Sequence, residues 1–112
     1  GKHLPVKPTS IELIYKNIAT LVPKTEDYTL FIGLAEAATA LGQGVFEKYN
    51  SKHSFYMQTT RYKTSKDILL SFQEEHSHAP SHILYYPRDE NLKNKLNIIK
   101  RIVLVDDEVS TG

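Results

Sequence analysis

The apolar positions fall in short blocks whose period switches between helical and extended along the chain. Ile11, Ile14 and Ile18, followed by Leu21 and Val22, recur at the spacing of one helical face. Thr9 precedes them with Glu12 three residues on, the pattern of a capping box, so the spacing predicts a buried-faced helix over 10–21 that Pro23 stops. Tyr28-Thr29-Leu30-Phe31-Ile32 is a compact apolar strand that Gly33 breaks where the chain must turn. The next helix is expected over 34–49, with Leu41, Val45 and Tyr49 on one side and Gly42 and Gly44 weakening its middle. Alternation through Phe55, Met57 and Thr59 predicts a strand over 54–60, and His82 to Tyr86, ended by Pro87, is another. Leu92, Leu96 and Ile99 place a short helix near 89–97, and Ile102 to Val105 reads as a buried strand. Strand and helix alternate, so the economical architecture is α/β: a mostly parallel sheet flanked by helices, in one domain over 1–112.

Composition narrows the function classes. Of 112 residues, 40% are apolar, enough for one core. Fourteen basic against thirteen acidic residues leave a net charge of +1, and no basic run is present, so nothing argues for nucleic acid. Cysteine is absent, which excludes disulfides and allows a cytoplasmic protein. No apolar run reaches the roughly 18 residues of a membrane span, and no signal peptide is visible. The opening Gly1 to Pro8 reads as an extended arm whose Lys2, His3 and Lys7 can meet an anion or simply be solvated.

Three stretches carry candidate chemistry. After Val105 come two adjacent carboxylates, Asp106 and Asp107, then Glu108, Val109, Ser110, Thr111 and Gly112. Carboxylates at the carboxyl end of a strand can accept from vicinal ribose hydroxyls, and the amides and hydroxyls of Val109 to Gly112 can curl around a phosphate. In open α/β sheets ligands sit at that edge. A phosphate loop normally opens a helix, yet the sequence stops at Gly112, and it starts without methionine; the domain is expected to be incomplete at both ends. Second, Gly33-Leu34-Ala35-Glu36 follows a strand and precedes a helix, where small residues let amides approach an anion; an ordinary turn is the bland reading. Third, Glu74-Glu75-His76-Ser77-His78-Ala79-Pro80-Ser81-His82 holds three of the five histidines. Glu75, His76 and His78 suit acid/base work, His76, His78 and His82 offer metal ligands without a known zinc spacing, and an exposed polar loop is the bland reading.

Val103-Leu104-Val105-Asp106-Asp107-Glu108-Val109-Ser110-Thr111-Gly112 resembles the phosphoribosyl-pyrophosphate (PRPP) motif of type I phosphoribosyltransferases, departing at Glu108, where many members are aliphatic. Val103 to Glu108 also resembles the first strand of response-regulator receiver domains, but only seven residues follow Val105 and receivers need a whole domain after it. Gly-Lys-His-Leu-Pro-Val at 1–6, Gly-Leu-Ala-Glu-Ala-Ala-Thr-Ala-Leu-Gly at 33–42, Thr-Thr-Arg-Tyr at 59–62 and Glu-Glu-His-Ser-His-Ala at 74–79 join the terminal motif in matching order. Together they resemble the orotate-phosphoribosyltransferase-like branch found in bacterial tellurium-resistance and stress-associated biosynthetic operons.

That resemblance implies a type I phosphoribosyltransferase-like, Rossmann-like fold, truncated after the PRPP loop, and a cytoplasmic pentosyl transferase. Its partners would be PRPP, a small base or nucleotide, Mg2+ and, as an assembly, a homodimer. Asp106 and Asp107 would serve the ribose hydroxyls or their Mg2+, and Glu108 to Gly112 the 5′-phosphate. Gly33, Leu34, Ala35 and Glu36 would form the pyrophosphate loop. Arg61, Lys63 and Lys66 would charge a mobile flap after the second strand, with a solvated connection as the bland alternative. Glu75, His76 and His78 would recognise or protonate the base. Two other classes stay open: a non-catalytic PRPP- or nucleotide-binding regulatory module, and a metal-binding protein built on His76, His78 and His82.

Overall fold

Five buried residues in a row, Thr29 to Gly33, form the strand on which the rest of the chain is laid. The computed structural model describes residues 8–73 and 81–107. Within them the order is α1 (Pro8–Thr20), β1 (Thr29–Gly33), α2 (Thr39–Tyr49), β2 (Ser54–Gln58), β3 (Ile68–Phe72), β4 (His82–Tyr85), α3 (Glu90–Lys95), a 3-10 turn Leu96–Ile98, and β5 (Arg101–Val105). The main sheet is parallel, ordered β2-β1-β5, and β3 pairs antiparallel with β4 in a second, two-stranded sheet. An antiparallel bridge between Thr60 and Ile83 ties the two sheets.

The unbroken burial of β1 follows from its place between two strands with a layer on each face. Phe31 packs towards the helices with Ala19, Val45, Tyr49 and Val105. Leu30 and Ile32 point the other way, onto Leu34 of the following loop and onto Leu84 of β4 and Leu92 of α3. Period-two alternation thus splits the core into two clusters on opposite sides of one sheet.

Several expectations need correction. Of the expected face of Ile11, Ile14, Ile18, Leu21 and Val22, Ile18 and Val22 pack beside buried Ala19, whereas Ile14 and Leu21 are exposed. Tyr15 lies against Gly44 of α2, where any Cβ would run into its ring. Glu12 pairs with Lys48 at 2.5 Å, and Thr9 falls inside the first turn because the helix begins at Pro8. The strand β5 is buried on one face only, since Ile102 is 53% and Leu104 49% exposed where the second layer stops short. Residues 35–38 form a turn, so α2 starts at Thr39 and not at Leu34. The strand β3, Ile68–Phe72, is an addition to the elements expected from the sequence.

The amino edge of the sheet is locked by Arg101. Its guanidinium donates to the Thr29 hydroxyl (3.0 Å), the Pro23 carbonyl (2.7 Å) and the Tyr49 hydroxyl (2.8 Å), while Tyr49 itself donates to the Pro23 carbonyl at 3.0 Å. One planar fork therefore satisfies groups from β1, α2 and the turn after α1.

Candidate active site

The register sets Gln58, Gly33 and Val105 in one row across the sheet. Three connections leave that row side by side: 59–67 after β2, 34–38 after β1, and the chain from Asp106 after β5. Because β1 sends its next strand to one side while β5 lies on the other, the gap between β1 and β5 is a topological switch point, where open α/β sheets receive ligands.

Gly33 does not work as a conformational break. It is buried, ends the strand without a positive φ, and is glycine for room: a Cβ would collide with the Tyr56 hydroxyl. Gly42 has the matching reason, because its Cβ would sit 2.8 Å from the Gly33 Cα. The start of α2 can therefore lie directly on the end of β1, with the Tyr56 hydroxyl donating to the Thr39 carbonyl at 2.7 Å. Burial pushes the Tyr56 phenol above its ordinary value of 10.0. The folded state thus prefers the protonated phenol, so this component of stability is whole below about pH 10 and is lost as pH rises through the raised value. Tyr56→Phe is expected to flatten the alkaline limb of a melting-temperature profile above pH 10; an unchanged limb would show that Tyr56 does not titrate with folding.

The loop after β1 is held at three points. The Leu34 amide donates to the Val105 carbonyl at 3.0 Å, the Ala35 amide to the Thr59 hydroxyl at 2.8 Å, and the Thr39 hydroxyl to the Glu36 carbonyl at 3.1 Å. The Ala35–Glu36 peptide is cis. Among the described residues no acceptor is assigned to the amides of Glu36 and Ala37, both of which are exposed residues. Across the gap, Asp106 is half-buried and Asp107 exposed, with the Asp107 amide donating to the Asp106 carboxylate at 2.7 Å.

Of the basic residues after β2, Lys63 and Lys66 are exposed, whereas Arg61 turns inward. Its Nη2 lies 3.0 Å from Nε2 of His82, and Nδ1 of His82 lies 2.9 Å from the Thr59 hydroxyl. The rest of the connection runs along β4, with the Tyr85 hydroxyl donating to the Tyr62 carbonyl and accepting from the Thr64 amide. His82 is fully buried and stacked on Phe72 at 5.2 Å. Both ring nitrogens of His82 are thus engaged by protein groups, one by a guanidinium, while His76 and His78, its partners in the alternative metal-binding reading, lie outside the described residues. Among the described residues no group of three or more His, Asp or Glu is placed to hold a metal ion.

Glu75, His76, His78, Glu108, Val109, Ser110, Thr111 and Gly112 lie outside the described residues. So do Lys2, His3 and Lys7. Reasoning from the sequence missed Thr59 and the inward His82 as parts of the site; the Thr-Thr-Arg-Tyr stretch was the available signal for Thr59.

These features define the class: an α/β protein whose parallel sheet gathers a small-residue loop, basic side chains and a carboxylate pair at its carboxyl edge. The chain belongs to the phosphoribosyl transferase family, whose model matches residues 1–112. No curated protein and no solved structure matches it. Among the described residues no helix is long and apolar enough to cross a membrane.

Proposed function

We propose that the chain binds PRPP with Mg2+ at the carboxyl edge of the sheet and exchanges pyrophosphate with a nitrogenous base at ribose C1. The observation that carries this reading is the common row of Gln58, Gly33 and Val105, from which three segments of different chemistry leave together. Family membership supplies the reaction class. The motifs at 33–42, 59–62, 74–79 and 105–112 favour the orotate-phosphoribosyltransferase-like branch of tellurium-resistance and stress operons, and with it a cytoplasmic setting.

In this reading Asp106 and Asp107 accept from the ribose hydroxyls, and Val109, Ser110, Thr111 and Gly112, with Glu108, enclose the 5′-phosphate. Gly33, Leu34, Ala35 and Glu36 form the pyrophosphate loop, whose exposed amides suit an anion. As the C1–O bond to pyrophosphate breaks, its electron pair leaves with pyrophosphate while the base nitrogen forms the C1–N bond. Negative charge then grows on the leaving group, and Arg61, Lys63 and Lys66 are the cations of the neighbouring connection that offset it. Glu75, His76 and His78 recognise or protonate the base.

The donor set fits Mg2+. This hard cation is held through one or two carboxylates plus substrate phosphates and waters, not by an all-protein cage, and Asp106 with Asp107 supplies such a pair. When bound, Mg2+ would neutralise phosphate charge.

Titration calorimetry with PRPP, run with Mg2+ and with a chelator, tests the binding, and a turnover assay across purine and pyrimidine bases tests the chemistry. Binding is expected to weaken by about tenfold or more without Mg2+, as a divalent charge beside phosphates dominates the local field. PRPP binding without turnover on any base would turn the reading into a regulatory binding module. An absence of PRPP binding would end both.

A further inference from the structure

Four residues from three separate stretches of the chain meet at the edge of the site in one hydrogen-bonded line. The Ala35 amide reaches the Thr59 hydroxyl at 2.8 Å, that hydroxyl reaches Nδ1 of His82 at 2.9 Å, and Nε2 of His82 meets Arg61 at 3.0 Å. Thr59 is 3% and His82 0% exposed, so the middle of the line is shielded from water. Direction follows from what each group can do. A guanidinium only donates, so Nε2 must offer its lone pair and the ring proton sits on Nδ1. Nδ1–H then donates to Thr59, whose oxygen accepts from two sides, from His82 and from Ala35. A buried hydroxyl held by two donors has little freedom to rotate away, and the amide that depends on it is fixed in turn.

The line runs beside the backbone bonds of Thr60 with Ile83 and of Thr59 with Gly33, and adds a side-chain link from the second sheet to the loop after β1. Ala35 belongs to the loop after β1, Thr59 and Arg61 to the connection after β2, and His82 opens β4 of the second sheet, opposite Phe72 at the end of β3. Phe72 and His82 flank the segment that carries Glu75, His76 and His78.

We propose that His82 is a positioning residue: through Thr59 it fixes the backbone of the pyrophosphate loop at Ala35, and through Nε2 it aims Arg61, coupling the second sheet to the loop. The part concerning pyrophosphate rests on the proposed function above; the coupling of Ala35 to His82 does not, and the test separates them.

The two halves of the imidazole can be replaced one at a time. Asn carries an amide N–H where Nδ1 stood, and Gln carries its amide near Nε2. Amide hydrogen exchange on the whole chain is expected to show Ala35 protected to within about twofold of wild type in His82→Asn and exchanging about tenfold faster in His82→Gln, with Thr59→Val at least as fast, as one buried hydrogen bond is lost. The ring 15N spectrum of the wild type should show Nδ1 protonated and Nε2 bare. If PRPP binds, its affinity should fall about tenfold in His82→Gln and Thr59→Val, in step with Ala35 exchange.

Equal Ala35 exchange in wild type, His82→Gln and Thr59→Val would overturn the proposal, as would equal losses in His82→Asn and His82→Gln that merely follow a lowered melting temperature. A ring proton on Nε2 would overturn it as well. Should the wild type fail to bind PRPP, the function reading falls, while the Ala35 exchange pattern still decides the coupling.

Discussion

Replacing Asp106 and Asp107 together by Asn is expected to lower PRPP turnover by about a hundred- to a thousand-fold, the usual cost of removing charge complementarity at a reacting centre. The fold should persist. The Asp107 amide donates to the Asp106 side-chain oxygen at 2.7 Å, and the carbonyl oxygen of an Asn at 106 can accept the same bond. Asp107 is exposed, and Asp106 lies at the end of an edge strand, so the change removes two charges without opening a cavity. Stability should move by about 1 kcal/mol or less, since Asp107 is exposed and Asp106 only half-buried. Turnover by the double variant close to wild type would sink the assignment of the pair to the ribose, whatever its melting temperature.

A second large effect is expected from Gly42→Ala. In an exposed helix this exchange would stabilise by about 1 kcal/mol. Here the added Cβ would stand 2.8 Å from the Gly33 Cα, and a backbone atom of a buried central strand cannot swing aside as a side-chain end can. Overpacking of this kind costs about 1–3 kcal/mol and occasionally more. The net prediction is a loss of up to about 2 kcal/mol, or up to roughly 10 °C in melting temperature for a domain of this size. Because the helix can yield only by lifting its first turn, the loop at 34–38 moves with it, so PRPP affinity should fall too. A variant that melts at or above the wild-type temperature would show that Gly42 is not what lets α2 approach β1.

Much of the scaffold was legible because it is written locally. The run Tyr28 to Ile32 announces a doubly covered strand, and the switch from period two to helical spacing after it announces the helix that returns over the sheet. Asp106 and Asp107 stand out as candidates because an apolar strand ends abruptly in charge. What stayed hidden depends on partners distant in sequence. Tyr15 turns inward only because Gly44 makes room on another helix, and that displaces Ile14 and Leu21 outward. β3 was missed because its Ile68 and Leu70 are exposed, while Ser71 and Phe72 lead into a polar stretch and read as part of it. Gly33 reads in isolation as a turn that breaks the strand, and its actual reason is the Tyr56 hydroxyl from the neighbouring strand. His82 sits near two other histidines in sequence, which keeps a metal cluster open as an alternative to acid/base chemistry. In three dimensions its neighbours are Thr59 and Arg61, residues whose side chains say nothing about each other along the chain.

The position of β5 bears on how the site comes into being. β1 pairs on one side with β2, joining Thr29 to Ser54, and on the other with β5, joining Thr29 to Arg101, a span of 72 residues that the Arg101–Thr29 hydrogen bond also bridges. The longer span adds only about 1 kcal/mol of closure entropy over the shorter one, yet contacts of such separation are the slow ones to form. The β1–β2 unit can gather early and already contains the loop at 33–36 and the connection at 59–66. The carboxylate pair joins them only when the most distant pairing closes, so the docking of β5 is the step that assembles the candidate site.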